Sequence, residues 1–203
     1  MKKRIHHRYN RECMDRQKRK KGVANIGVLI RSRRRQLQMT LKEISEKTGL
    51  SVAFLSQVER DITSPSLSSL AVIAKALEVK TSYFLDLPDE GGMVTREHER
   101  AYFSLNRSAV QYAKITTDFP NSQLNGVINR IPSGFTSEKV SHDGEDLIYV
   151  LKGEGFIQVG EEKYQLKAGD SIHYRGDIEH FWGNDGEEEF VWMGVFTQPR
   201  FTR

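Results

Sequence analysis

The sequence predicts a chain of two unlike halves, a bundle of short helices followed by an all-β sandwich or barrel. Three observations predict it. Residues 26–86 carry apolar positions at helical spacing in five short runs with capping residues between them. From about residue 121 the period changes to short β-rich runs punctuated by glycine turns. Between the two lies Pro88-Asp89-Glu90-Gly91-Gly92, polar and rich in chain breakers. These signals divide the 203 residues into a basic arm (1–21), a helical domain (22–87), a linker (88–100) and a β domain (101–203). Each domain is large enough to bury a modest core.

The helical elements follow in order. Helix one is expected over Ile26 to Gln38, with Ile26, Leu29, Ile30 and Leu37 on one face and Arg31, Arg33, Arg34 and Arg35 on the other. Thr40 and Glu43 form a capping box that starts helix two. Gly49 supplies the left-handed residue that ends it, and Ser51 caps helix three two positions later. Leu55 and Val58 point inward, which leaves Val52, Ala53, Ser56 and Gln57 near the exposed leading edge. The loop Asp61-Ile62-Thr63-Ser64-Pro65 interrupts the pattern. Helix four restarts at Ser66 and packs Leu67, Leu70, Ile73, Ala74 and Leu77, and a fifth short helix spans Thr81 to Leu85. Two short helices joined by so tight a turn make a helix-turn-helix unit, whose second helix can enter a DNA major groove.

The run Leu50-Ser51, Leu55 to Arg60, Pro65-Ser66-Leu67, Leu70 and Ile73 to Leu77 resembles the xenobiotic-response-element (phage-repressor-like) family of transcription regulators. The resemblance covers about 60 residues. It implies that Val52, Ala53 and Gln57 face bases, Gln suiting adenine and Val and Ala suiting thymine methyls. It further implies that Ser51, Ser56, Thr63 and Ser66 hold phosphates, which position the helix without reading sequence. Arg34 and Glu59 match a structural ion pair of the family. Two positions depart from it. Asp61 stands where the family has Gly, in a left-handed turn that Asp tolerates. Leu41 replaces a polar Gln, which removes one usual contact.

Charge is unevenly placed. Residues 1–21 hold ten Lys and Arg against two Asp and Glu, whereas residues 91–203 hold 12 against 17. The arm reads as a solvated tail that can add sequence-independent phosphate attraction. No stretch approaches the roughly 20 apolar residues of a membrane span, and the basic N-terminus lacks the apolar segment of a secretory signal. The lone Cys13 excludes an intrachain disulfide and fits a reducing cytoplasm, the expected location.

In the β half the expected strands are Val127–Ile131, Leu147–Leu151, Gly155–Val159, Lys163–Leu166, Ser171–Tyr174 and Phe190–Phe196. Two spaced segments narrow the architecture. One contains Gly134, Val140, His142, Asp146 and Gly153, and the other Gly169, Arg175, Asp177, His180 and Asn184. Their spacing resembles the paired motifs of the cupin superfamily, a jelly roll (double-stranded β-helix), over roughly Asn121 to Phe196. The fold class implied for the whole chain is therefore α plus all-β, a five-helix helix-turn-helix bundle followed by a cupin jelly roll.

Metal-binding cupins carry two His and a carboxylate in the first motif and a His in the second. Val140 replaces the first His here, and Asp146 the usual Glu. What remains, His142, Asp146 and His180, is a two-His-one-carboxylate set able to hold one divalent Zn, Fe, Mn or Ni. The alternative is a pocket without metal whose polar groups bind a small molecule directly. The effector pocket is expected to contain His142, Asp146, Tyr149, His180 and Trp182. The inward parity stays open between Ile128 and Arg130, between Ile148 and Tyr149, and between Phe181 and Trp182, with Phe156, His173 and Trp192 as further candidates. Acidic Glu145, Asp146, Asp177 and Glu179 suit a cationic effector, while Arg130 and Arg175 suit a carboxylate.

Together the resemblances imply a non-enzymatic regulator of transcription that binds double-stranded operator DNA, senses a small-molecule effector through its cupin domain and works as a homodimer or higher homo-oligomer. Two alternatives stand beside it: an architectural dimer without effector, and a metal-dependent cupin enzyme fused to a DNA-binding domain.

Overall fold

The computed structural model describes residues 25–85, 93–106, 108–117, 119 and 122–197. The basic arm, Cys13 and Pro88–Gly92 lie outside the described residues. Among the described residues four α-helices come first: α1 (Ile26–Gln36), α2 (Leu41–Thr48), α3 (Val52–Glu59) and α4 (Leu67–Ala76). The fifth expected helix is a single 3-10 turn, Thr81–Tyr83. Three residues ending on Lys80 and Phe84 without a side-chain cap are too few to propagate an α-helix. Helix α1 also stops two residues earlier than expected, because Gln38 turns left-handed at φ 55°.

Local chemistry accounts for the helix ends. Asn25 caps α1, accepting from the Val28 amide. The Thr40–Glu43 capping box is complete, with Thr40 N–H donating to Glu43 Oε2 at 2.6 Å and Glu43 N–H to Thr40 Oγ1 at 3.2 Å. Gly49 ends α2 at φ 74°, and Ser51 starts α3 by accepting from Phe54. Asp61 does adopt the left-handed conformation, at φ 59°. Ile26, Ile30, Ile44, Leu55, Val58, Leu70, Ile73 and Leu77 close the bundle core, with Leu29 and Leu37 packed at its edge. Burying such side chains is the main stabilising term, about 1.5–3 kcal/mol each.

The second half is a jelly roll with eight strands among the described residues: β1 (Gln111–Lys114), β2 (Leu124–Ile131), β3 (Glu145–Lys152), β4 (Glu154–Val159), β5 (Glu162–Lys167), β6 (Ser171–Arg175), β7 (His180–Gly183) and β8 (Phe190–Thr197). All pairings are antiparallel, in a five-stranded sheet ordered β1-β2-β8-β3-β6 and a three-stranded sheet ordered β5-β4-β7. All six expected strands form. Strands β1 and β7 were not foreseen, since neither Gln-Tyr-Ala-Lys nor His-Phe-Trp-Gly is a β-rich run.

Strand β3 alternates strictly, with Asp146, Ile148 and Val150 buried and Leu147, Tyr149 and Leu151 exposed. This alternation settles the parity of the interior. Asn129, Trp182 and Trp192 share the inner face with Ile148. The two sheets meet there, Trp182 packing edge-on against Trp192 with centroids 5.5 Å apart. Residues 93–100, from the expected linker, lie against this domain through Thr95, whose hydroxyl donates to Ile115 O.

Candidate functional site

Two sites emerge, one in each half. In the helical half, Ser51, Val52, Ala53 and Gln57 are exposed along the leading edge of α3, with Ser56 and Thr63 half-buried. Beneath this edge the guanidinium of Arg34 grips Glu59 with two bonds, Nε to Oε1 at 2.6 Å and Nη2 to Oε2 at 2.8 Å. Its Nη1 donates to Met39 O at 2.9 Å, so α1 and α3 are clamped together and to the turn before α2. The hydrogen bond to Glu59 outweighs burial and holds the Arg34 pKa above its ordinary value.

Ser66 departs from its expected role. It is only 1 % exposed, its amide donates to Glu138 Oε2 at 3.1 Å, and its hydroxyl donates to Ser69 Oγ at 3.0 Å. A carboxylate from the jelly roll thus stands where a DNA phosphate was expected. In this arrangement Ser66 is a helix cap inside an interdomain contact.

The second site lies inside the jelly roll. Asp146 projects inward from β3 and is 2 % exposed. His180 reaches it from the start of β7, and His142 from the segment before β3. The Nε2 atoms of His142 and His180 stand 3.4 and 3.5 Å from Asp146 Oδ2. On the far side of each ring Nδ1 faces a backbone carbonyl, Asp143 O at 3.0 Å for His142 and Ile178 O at 2.8 Å for His180. A carbonyl only accepts, so Nδ1 donates to it and Nε2 is the ring atom turned toward Asp146. The His142 ring also lies against Gly176, where an added Cβ would come within 2.6 Å of Nδ1.

These residues fit a divalent cation. One ligand atom from each lies within 4.8 Å of the others. Both imidazoles already have the carbonyl partner that orients a ligating ring. Asp146 Oδ1 is buried with no hydrogen-bond partner among the described residues. Electrostatics splits the two histidines. For His142, burial pulls the pKa down, but the hydrogen bond and charge of Asp146 and the Asp143 contacts outweigh it, and the net shift is upward. For His180 burial dominates and the shift is downward.

Other expectations divide. Trp182 does face inward beside His180, but it packs between Phe135 and Trp192 as part of the wall. Tyr149 does not face the pocket. It is 42 % exposed on the outer surface of β3, because Asp146 faces in and parity sends Tyr149 out. His173 likewise points outward, pairing with Glu145 at 3.3 Å. Its neighbour Tyr174 takes the inward place, its ring 5.1 Å from that of His180. Burial, followed by the charge of Asp146, pushes the Tyr174 hydroxyl pKa up. Arg175 bonds Asp177, and Arg130 lies 4.5 Å over the Tyr102 ring, so neither is directed at the cluster.

Of two further interior groups, Trp192 was a candidate from the sequence and Asn129 had no signal there. Asn129 on β2 and Trp192 on β8 are directly paired across the sheet and 1 % and 2 % exposed. Asn129 Nδ2 and Trp192 Nε1 have no acceptor among the described residues. Only the register of β2 against β8 brings them together.

Comparison with known proteins agrees with this geometry. A helix-turn-helix family model matches residues 30–84 and a cupin domain model residues 127–196. The chain is a helix-turn-helix transcriptional regulator with a C-terminal cupin domain. It is 27 % identical to the transcriptional regulator SutR of Escherichia coli K12 over 180 residues, 86 % of this chain and 96 % of that one. It is 26 % identical to the regulator PuuR of the same organism over 155 residues, 74 % of this chain and 83 % of that one. Among solved structures, a helix-turn-helix family transcriptional regulator from Vibrio cholerae superposes with a TM-score of 0.60 at 21 % identity, covering 88 % of this chain and 97 % of its own. That similarity concerns the fold. Among the described residues no helix is long and apolar enough to cross a membrane.

Proposed function

We propose that this regulator reads operator DNA with the leading edge of α3 and is governed by a small molecule held inside the jelly roll. Residues 22–87 form the DNA-binding unit and 101–203 the sensor, joined through 88–100, with the basic arm (1–21) adding phosphate attraction. Gln57, Val52 and Ala53 contact bases, while Ser51, Ser56 and Thr63 hold the backbone. The sensing reading rests on one observation: the interior carries polar atoms with unused bonding capacity. Each buried, unpaired polar group costs about 1–3 kcal/mol. An interior of this kind is favoured where an occupant supplies the missing partners.

The chemistry of those atoms defines the occupant. Asn129 Nδ2 and Trp192 Nε1 are donors, so the effector presents hydrogen-bond acceptors, such as carboxylate or carbonyl oxygens. A divalent cation on His142, Asp146 and His180 would neutralise the aspartate and offer open positions to an acceptor atom of the same effector.

Dimerisation is the remaining part. Leu147, Tyr149 and Leu151, each 42–45 % exposed, stand in a row on the outer face of β3. Val195 and Met193 of β8 lie directly beside Leu147 and Tyr149. This apolar face supports pairing of two jelly rolls, which would present two recognition helices to a two-fold operator.

In vitro selection of operator sequences tests the DNA reading. Gln57→Ala is expected to relax preference at one or two base pairs by about 1–3 kcal/mol; an unchanged sequence logo would remove Gln57 from base readout. Native mass spectrometry of the tag-free protein tests the sensor, a retained organic mass that disappears in Asn129→Leu being the expected result.

A further inference from the structure

The segment between Thr136 and Asp143 belongs to both halves of the molecule. One side lines the barrel. Thr136 and Val140 form antiparallel bridges to Gly183 and His180 of β7, and His142 at the far end turns inward to Asp146. The other side meets the DNA-binding domain. Glu138 Oε2 accepts from the Ser66 amide at 3.1 Å and from the Ser69 hydroxyl at 2.8 Å, at the start of α4. Asp143 Oδ2 accepts from Lys75 Nζ at 2.6 Å, near the end of the same helix. From β1, the buried Tyr112 hydroxyl accepts from the Leu67 amide at 3.3 Å. A fourth contact joins Asn106 Nδ2 to Asp61 Oδ1 at 2.9 Å, in the turn that ends the recognition helix. Asp61 therefore does more than tolerate the left-handed conformation that Gly would adopt: its carboxylate gives the sensor domain a hold on that turn.

These contacts differ in weight. Lys75–Asp143 is solvent-exposed and contributes little. The half-buried Glu138 places a carboxylate on buried amide and hydroxyl donors at a helix start, where its charge and the helix dipole act together. Tyr112 is fully buried. The clasp on α4 rests on these two residues.

The connection to the sensor site is covalent and short. The carbonyl that holds the His142 ring, Asp143 O, belongs to the residue whose side chain meets Lys75. Val140, two residues from both Glu138 and His142, exchanges both backbone hydrogen bonds with His180, at 2.9 and 3.0 Å. Both candidate ligand histidines are thus anchored to one strand segment, and the clasp on α4 hangs from it. An occupant can shift an equilibrium only through differential affinity for its two states. The clasped geometry is the one in which the two Nε2 atoms and the carboxylate already converge, so an occupant of that cluster favours it.

We propose that the Glu138–Asp143 segment transmits occupancy of the His142–Asp146–His180 cluster to the DNA-binding domain, by tightening the clasp of Glu138 and Tyr112 on the start of α4. The proposal rests on the sensing reading above. Its test is amide hydrogen exchange on the full chain with and without Zn²⁺, with bound zinc counted by native mass spectrometry. Zinc is expected to slow exchange of the Ser66 and Leu67 amides about tenfold, the size of one charge-assisted hydrogen bond. In Glu138→Ala/Tyr112→Phe the same zinc is expected to bind with no change at those amides. Bound zinc with unaltered exchange in the wild type would overturn the transmission while leaving the pocket intact, as would slow exchange persisting in the double variant. If zinc does not bind at all, the metal assignment fails separately, and Asp146→Asn then perturbs the cluster from within. Altered exchange at Ser66 and Leu67 in that variant would uphold the transmission, and unaltered exchange would overturn it.

Discussion

The two halves of this regulator each bury a carboxylate, and they treat it in opposite ways. Glu59 is 7 % exposed and meets a guanidinium that matches both its oxygens, while the third Arg34 contact goes to a backbone carbonyl. Asp146 is 2 % exposed and has no Arg or Lys partner among the described residues. One of its oxygens stands 3.4 and 3.5 Å from two imidazoles, and the other has no hydrogen-bond partner among the described residues. Buried charge needs compensation in either case. Where the chain supplies it in full, the carboxylate is scaffold; where the chain stops short, the deficit marks a place for something else to bind.

The sharpest way to break this contrast is to remove the closed pair. Glu59→Ala leaves Arg34 buried without its partner and should cost about 3–5 kcal/mol in denaturant unfolding. A loss below about 1 kcal/mol would show that Glu59 is not the compensating charge. At the open centre the same operation should behave differently. Asp146→Asn removes an undercompensated charge, so unfolding should show no loss of stability, while zinc affinity measured by calorimetry falls by more than the 10–100-fold typical of an outer-partner change. Parallel losses of stability at both positions would erase the distinction.

A subtler perturbation acts through the His142 ring. In Gly176→Ala the new Cβ would fall within 2.6 Å of Nδ1 and so forces the ring off Asp143 O. Zinc affinity is expected to drop about 10–100-fold with every candidate ligand still present; unchanged affinity would mean that the ring's orientation does not matter. The smallest effect belongs to the capping box. The Thr40 amide and hydroxyl hold the Glu43 pKa below its ordinary 4.5. A depressed carboxylate contributes stability that is complete above the unfolded value and is lost as pH falls through the folded one. Glu43→Gln should therefore lower stability slightly at pH 7, where the contribution is complete, and flatten the acid limb below about pH 4.5, so that variant and wild type converge in acid.

The difference between the halves also explains what could be read without the structure. Capping box, Gly49, Ser51 and the left-handed Asp61 are local devices, decided within a few residues, and all four stand where the sequence puts them. The Arg34–Glu59 pair was legible only through the family resemblance. The six β-rich strands were legible from their composition and the turns between them, and His142, Asp146 and His180 from motif spacing, although spacing alone says nothing of their distances.

What the tertiary structure decided depends on register and docking, which join residues far apart in the chain. One step of strand parity sends Tyr149 and His173 outward and brings Ile148 and Tyr174 in, and local sequence does not carry that step. Asn129 and Trp192 become neighbours only because β2 pairs with β8 in one register. Ser66 has a phosphate-binding residue's identity at a helix start, yet a glutamate 72 positions later covers it. The sequence by itself determined the two folds, their order and the residues that start and stop each helix, because those are set by short-range sterics and hydrogen bonding. Which buried atoms are left without partners, and which carboxylate closes over α4, are sums over distant neighbours that exist only once the chain has packed.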